Sequence, residues 1–176
     1  LFSYYSLCKG AKQVYCFEPS PQSYNCIIEN FNIDNLVVEK AAVGSKDGEV
    51  TFNINPESSI NSSMFVSDEN SQTITCKSIN FNNYIKNNNI DKIDYLKIDC
   101  EGAEYEIIES LDEHYLTNNI NKIYMLGEFD ASVISEIKSL TELEVDSGVD
   151  FDKINYNNPV SNHIGTGFFL SLYLNS

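Results

Sequence analysis

The spacing of apolar residues along the chain predicts strands that alternate with helices. Apolar runs typical of buried strands cover residues 13–17, 36–41, 73–79, 95–98, 122–126, 143–149 and 168–174. Apolar residues at helical spacing predict helices over residues 1–8, 20–31, 81–88, 103–111 and 133–137. Strands that alternate with helices imply a mainly parallel sheet, so the expected fold class is α/β. A chain of 176 residues fits a single domain, 1–176.

One turn signal interrupts this alternation. Asp47-Gly48 favours a hairpin, and residues 49–54 alternate as the strand that would pair with residues 36–41. Residues 55–72 are polar and have little pattern apart from Met64-Phe65-Val66. A connection of this length is expected to be a functional loop or disordered.

A group of carboxylates lies where a predicted strand passes into a helix. Asp99, Glu101 and Glu104 follow the strand directly, at the edge where open α/β sheets bind ligands. Carboxylates in a first helical turn are also stabilised by the helix dipole, so helix capping is an alternative role for Glu101 and Glu104. Three acids repel one another unless a cation lies among them. Lys97, on the same strand face as Asp99, is the nearest candidate in sequence.

A second acidic residue, Glu18, follows the strand at residues 13–17. A carboxylate can accept two hydrogen bonds from a vicinal diol, and nucleotide-binding folds use an acid at this position to bind ribose. That acid normally follows a glycine-rich turn by about 20 residues. Any such turn would therefore lie at Leu1 or just before it.

Three motifs occur in order along the chain: Phe17-Glu18-Pro19, Ala41-Ala42-Val43-Gly44 with Asp47-Gly48, and Lys97-Ile98-Asp99-Cys100-Glu101-Gly102-Ala103-Glu104. Together they resemble the FkbM family of S-adenosylmethionine-dependent methyltransferases. The resemblance runs from about Leu1 to Leu111 and continues more loosely to the end. It implies a Rossmann-like class I methyltransferase fold, with a mostly parallel twisted sheet and an antiparallel last strand.

The family's first strand and its glycine-rich cofactor loop are absent from these residues. In the family's fold that strand lies between the strands that end at Glu18 and Asp99, so its loss would leave two interior edges unpaired. The chain starts with Leu1 inside a predicted helix. The apolar side of that helix is expected to be Leu1, Phe2, Tyr5 and Cys8. We interpret the chain as a fragment that lacks this strand and loop, and we expect the fragment alone to fold poorly or bind no cofactor.

The resemblance implies a binding site for S-adenosylmethionine. Glu18 would bind the ribose hydroxyls. Pro19, Ser20 and the backbone at Ala41 and Ala42 would lie against the adenosine. These small residues are also explained by packing alone.

The resemblance also implies a catalytic edge. Asp99 would face the methionine end of the cofactor or the acceptor. Methyl transfer is an in-line displacement that depends mostly on positioning, with a base where the acceptor is a hydroxyl. Asp99, Glu101 and Glu104 could supply that base, or they could hold a divalent cation such as Mg²⁺ or Mn²⁺. Glu128 is a further candidate at the same cleft, and His163 is an alternative base.

Composition narrows the partners. The net charge is −15, and all 11 basic residues are lysines. Nucleic acids and anionic membranes are therefore disfavoured, and a neutral, hydroxyl-rich small molecule or glycan, or a cationic substrate, fits better. The five cysteines are scattered without a CxxC pair, which indicates reduced thiols in a cytoplasmic setting.

The leading hypothesis is O-methylation of a hydroxyl on a sugar or other small metabolite. A nicotinamide-dependent oxidoreductase is an alternative, because Glu18 would suit that ribose equally well. A non-catalytic binding domain that lost its cofactor loop is a third possibility. The residues upstream of Leu1 would discriminate among the three.

Overall fold

The computed structural model describes residues 2–55, 58–63, 72–100, 103–125, 145–146 and 169–174. Within these ranges the helices are α1 (Phe2–Cys8), α2 (Pro21–Asn30), α3 (Phe81–Asn87), α4 (Glu104–Glu109) and α5 (Glu113–Asn119). The strands are β1 (Gln13–Phe17), β2 (Leu36–Glu39), β3 (Ala42–Gly44), β4 (Gly48–Asn55), β5 (Ser58–Ser63), β6 (Gln72–Asn80), β7 (Tyr95–Asp99), β8 (Ile123–Met125), β9 (Val145–Asp146) and β10 (Phe169–Leu174). The α/β class is confirmed.

The main sheet has six strands in the order β2-β1-β10-β7-β8-β9. The β1/β2, β7/β8 and β8/β9 pairs are parallel. β10 is antiparallel to both of its neighbours, β1 and β7. The prediction of an antiparallel last strand is therefore confirmed, and β1 and β7 run in the same direction.

The position of β10 shows that the expectation of two unpaired interior edges was wrong. β10 lies between β1 and β7, where the family's first strand was expected. Leu172, for example, pairs with Tyr15 on one side and with Leu96 on the other. The backbone groups of β1 and β7 that would otherwise lack partners thus bond to β10, which satisfies a requirement of any buried strand.

The smaller sheet has the order β3-β6-β4-β5 and shows that the predicted hairpin was wrong. Residues 49–54 belong to β4, which pairs with β6 rather than with residues 36–41. β2 ends at Glu39, and β3 pairs in parallel with β6. Asp47 explains the difference, since its Oδ1 accepts a hydrogen bond from the backbone N–H of Asn80 at 2.9 Å. This contact holds the turn before β4 against the end of β6.

The prediction of an unstructured stretch over residues 55–72 was also wrong in part. Residues 58–63 form β5, which is antiparallel to β4, with Asn53 opposite Ser63 and Asn55 opposite Ser58. A serine-rich segment has no apolar alternation, so the pairing depends on backbone hydrogen bonds that the pattern does not reveal. Met64-Phe65-Val66 lie outside the described residues.

Local capping signals explain where the helices begin. Ser20 caps α2 by accepting a hydrogen bond from the N–H of Ser23, and Pro21 stands in the first turn. The helix predicted over residues 103–111 is confirmed as α4. A separate helix, α5, follows it, and its cap is Asp112, whose side chain accepts from the N–H of Tyr115. The helix predicted at residues 133–137 lies outside the described residues.

The predicted apolar side of α1 was only partly right. Phe2 is half-buried, and its ring lies 5.8 Å from the ring of Tyr95. Tyr5 and Cys8 are exposed, whereas Ser3 is buried. A short helix presents only one or two residues per turn to the sheet, so the apolar residues could not all face it.

The hydrophobic core lies between the main sheet and the helices α3, α4 and α5. Phe17 of β1 and Leu96 and Ile98 of β7 are buried there against Phe81 and Ile107. All five cysteines are free; Cys16 and Cys100 are buried. In the described part of the chain, every helix is too short or too polar to cross a bilayer.

Candidate functional site

Glu18 and Asp99 lie at the same edge of the main sheet. β1 and β7 run in the same direction, so their carboxyl ends lie at the same edge. Phe17 pairs with Leu170, which brings the next residue, Glu18, beside Phe169, and Phe169 pairs with Asp99. The two acids therefore stand level, separated by two strand spacings, or about 10 Å. The topology confirms the predicted edge.

The Glu18 carboxylate is fully buried. Its Oε1 accepts a hydrogen bond from the backbone N–H of Ser20 at 2.8 Å. Its Oε2 is buried and has no hydrogen-bond partner among the residues that the structure describes. Burial raises the pKa of Glu18 to about 8, and the Ser20 N–H opposes that rise. Burying a carboxylate oxygen without a hydrogen-bond donor costs free energy, and a bound hydroxyl would supply the missing donor.

The small residues predicted beside the adenosine surround Glu18 in sequence and in the sheet. Pro19 is buried and Ser20 is the helix cap described above. Ala41 and Ala42 are buried at the passage from β2 to β3, and the Glu18 N–H bonds to the carbonyl at the end of β2, 2.9 Å away. The backbone of Glu18 is thus held against the end of β2.

Cys76 is a neighbour of Glu18 that the sequence analysis did not identify. Burial raises the pKa of the Cys76 thiol, the N–H of Ala42 lowers it, and the charge of Glu18 raises it further. Cys76 belongs to β6 in the smaller sheet, so its approach to Glu18 depends on how the two sheets are placed. No local pattern in the sequence carries that information.

Asp99 forms a buried ion pair with Lys97. The Nζ of Lys97 lies 2.7 Å from the Oδ2 of Asp99, and the two side chains are 8% and 10% exposed. The same Nζ lies 5.6 Å from the centroid of the Phe2 ring, so α1 contacts the pair. The prediction that Lys97 is the cation nearest to Asp99 is confirmed.

Glu104 contacts the backbone of the turn that precedes α4. It is buried, and its Oε1 accepts a hydrogen bond from the N–H of Cys100 at 2.8 Å. Burial, followed by the charge of Glu104, raises the pKa of the Cys100 thiol. The contact gives Glu104 a structural role in the turn between β7 and α4; it is not a side-chain cap of the helix.

The remaining candidates, Glu101, Glu128 and His163, lie outside the described residues, so their predicted roles stay predictions. In the described ranges no three side chains of His, Cys, Asp or Glu come together as a metal site. Beside Asp99 the neighbouring positive charge is the ammonium of Lys97.

The methyltransferase FkbM domain matches residues 1–154. The chain belongs to the FkbM methyltransferase family. The match includes both Glu18 and Asp99 and stops before β10. The expected family is therefore confirmed over most of the chain.

One curated relative extends this result. Hexuronic acid methyltransferase AglP of Haloferax volcanii is 26% identical to the FkbM chain over 148 residues, which cover 78% of this chain and 59% of AglP. The chain thus spans less than two thirds of that relative's length. No solved structure is significantly similar to this chain.

Proposed function

We propose that the protein is an S-adenosylmethionine-dependent methyltransferase that methylates a hydroxyl of a sugar or small metabolite. The observation that carries the proposal is the buried Oε2 of Glu18, which has no donor among the described residues and lies at the carboxyl edge of the main sheet. Family membership supports the same conclusion. On the same ground we propose a class I methyltransferase fold for the whole protein.

The residues around Glu18 fit a ribosyl cofactor. A ribose diol offers two O–H donors. Within the described ranges, one oxygen of the Glu18 carboxylate has no donor and the other is bonded to the N–H of Ser20. We propose that Pro19 and the backbone at Ala41 and Ala42 lie against the adenosine. When bound, S-adenosylmethionine would supply a methyl group activated by its sulfonium.

Asp99 is the residue that we propose to face the reacting end. It stands about 10 Å from Glu18 along the same edge, a separation of the order that a ribose and its substituent would span. Asp99 or Glu101 would accept the proton of the acceptor hydroxyl. Glu104 would support the turn through Cys100 rather than take the proton.

The acceptor that we propose is a sugar hydroxyl. AglP, by its name, methylates a hexuronic acid. The present chain has a net charge of −15 and no arginine, so a neutral sugar is favoured over a strongly anionic acceptor. A cytoplasmic setting is proposed on the reduced cysteines alone.

The test uses the whole natural protein with S-adenosylmethionine and a panel of hexoses and hexuronic acids. Methylated sugar and S-adenosylhomocysteine are measured together by mass spectrometry. We expect one class of sugar to be methylated, and we expect Asp99→Asn to lower kcat by roughly 10²–10⁴-fold. The surface variant Asn118→Ala is the control. Binding of NAD instead of S-adenosylmethionine, measured by calorimetry, would favour the oxidoreductase and contradict the proposal.

A further inference from the structure

The Lys97–Asp99 pair presents a nearly neutral surface at the edge where the donor is proposed to bind. The two side chains are in direct contact at 2.7 Å and are almost completely buried. The ring of Phe2 covers the ammonium from α1. Other ionisable groups close to the pair are Cys100, which follows Asp99, and Glu104, whose carboxylate bonds to the Cys100 N–H.

This neutrality has a consequence for a methyl donor. Methyl transfer breaks a sulfur–carbon bond and forms an oxygen–carbon bond; the sulfur keeps the electron pair, and the hydroxyl proton leaves to a base. The donor is therefore cationic at sulfur, and the product is a neutral thioether. An unpaired carboxylate beside the sulfur would stabilise the ground state more than the transition state, and such binding does not accelerate the reaction.

We propose that Lys97 sets the charge selectivity of the donor site. By cancelling the charge of Asp99, it keeps the site from binding the cationic donor much more tightly than the neutral product. Lys97 is in this sense a positioning residue that acts through Asp99. The inference rests on the proposed function, because it takes Asp99 to lie beside the sulfur.

The test is the ratio of two dissociation constants, for S-adenosylhomocysteine and S-adenosylmethionine, measured by calorimetry on the whole natural protein. Lys97→Met leaves the Asp99 charge uncompensated and should raise the preference for the cationic donor by roughly tenfold, as expected for one charge at several ångströms in a partly polar medium. Asp99→Asn leaves the Lys97 charge uncompensated and should lower that preference by a similar factor. A structural defect would weaken both ligands equally and leave the ratio unchanged.

Two further variants complete the experiment. Lys97→Arg keeps the charge and should keep the wild-type ratio. The double variant Lys97→Met/Asp99→Asn is neutral and should return to that ratio. If Lys97→Met does not fold, because it leaves a buried charge without a partner, Asp99→Asn and the double variant decide the question.

The outcomes separate the two proposals. Opposite shifts in the two single variants, with the ratio restored in the double variant, support the inference. A constant ratio in all folded variants contradicts it and leaves the proposed function standing. A wild-type protein that binds neither ligand contradicts the proposed function itself.

Discussion

Glu18 and Asp99 lie level with each other at one edge of the main sheet, with the single strand β10 between them. The Glu18 carboxylate is buried, and one of its oxygens has no donor among the described residues. The Asp99 carboxylate is paired with Lys97. The two acids thus have different electrostatic environments within about 10 Å. We propose that this difference lets Glu18 bind neutral hydroxyls and lets Asp99 lie near a charge that changes.

Glu18 should make the stability of the cofactor-free protein depend on pH. Its pKa is raised by burial from 4.5 to about 8. Between these values the unfolded carboxyl is ionised while the folded one keeps its proton, so the free energy of unfolding should fall as the pH rises. The slope is at most about 1.4 kcal/mol per pH unit. Urea unfolding at several pH values measures it.

Glu18→Gln is the matched variant for this prediction, because it has a similar shape and does not ionise. Its free energy of unfolding should exceed that of wild type by a margin that grows from pH 4.5 towards about 8. Parallel curves for the two proteins over this range would mean that the Glu18 pKa is not raised in the folded state.

Glu104 should contribute to stability through its bond to the Cys100 N–H. Glu104→Ala leaves this buried N–H without its acceptor and should lower the free energy of unfolding by about 1–3 kcal/mol. Glu104→Gln retains a carbonyl oxygen that can accept the bond, so its loss should be smaller and its kcat close to that of wild type. Denaturation and initial rates are measured on both variants. A normal stability in Glu104→Ala with a large loss of kcat in Glu104→Gln would reverse the assignment.

The central position of β10 should make its backbone sensitive to proline. Leu172 pairs with both Tyr15 and Leu96, and proline removes a ladder hydrogen bond and is excluded from the middle of a sheet. Leu172→Pro should abolish the cooperative thermal transition, whereas Leu172→Val keeps the N–H and should melt close to wild type. A cooperative melt of Leu172→Pro at the wild-type temperature would show that β10 does not lie between β1 and β7 in solution.

The parts of the fold that depend on local signals could be predicted from the sequence. The limits of β1 followed from its apolar run, and those of α2 followed to within a residue from apolar residues at helical spacing. The Lys97–Asp99 contact was predictable as well, because residues two apart on a strand share a face.

The parts that depend on distant partners could not be predicted. β4 alternates like a hairpin strand, yet its neighbour in the sheet is β6, and the Asp47 contact that holds this arrangement is made to Asn80, which is distant in sequence. β10 is a plain apolar strand whose place between β1 and β7 depends on residues that are distant in sequence. Cys76 approaches Glu18 for the same kind of reason. The sheet edge that carries Glu18 and Asp99 was therefore predictable, whereas the strands and the thiol that come close to it from distant parts of the chain were not.

The central claim is that Glu18 binds the ribose of S-adenosylmethionine. Calorimetric titration of S-adenosylmethionine into the whole natural protein and into Glu18→Ala tests it most directly, with circular dichroism to verify that both are folded. Two hydroxyl donors would lower the raised pKa of Glu18 and make the bound carboxylate a charged acceptor. Loss of these hydrogen bonds should weaken binding by about 1.5–3 kcal/mol, or roughly 10- to 150-fold. Equal affinities in the two folded proteins would remove Glu18 from the site and contradict the account.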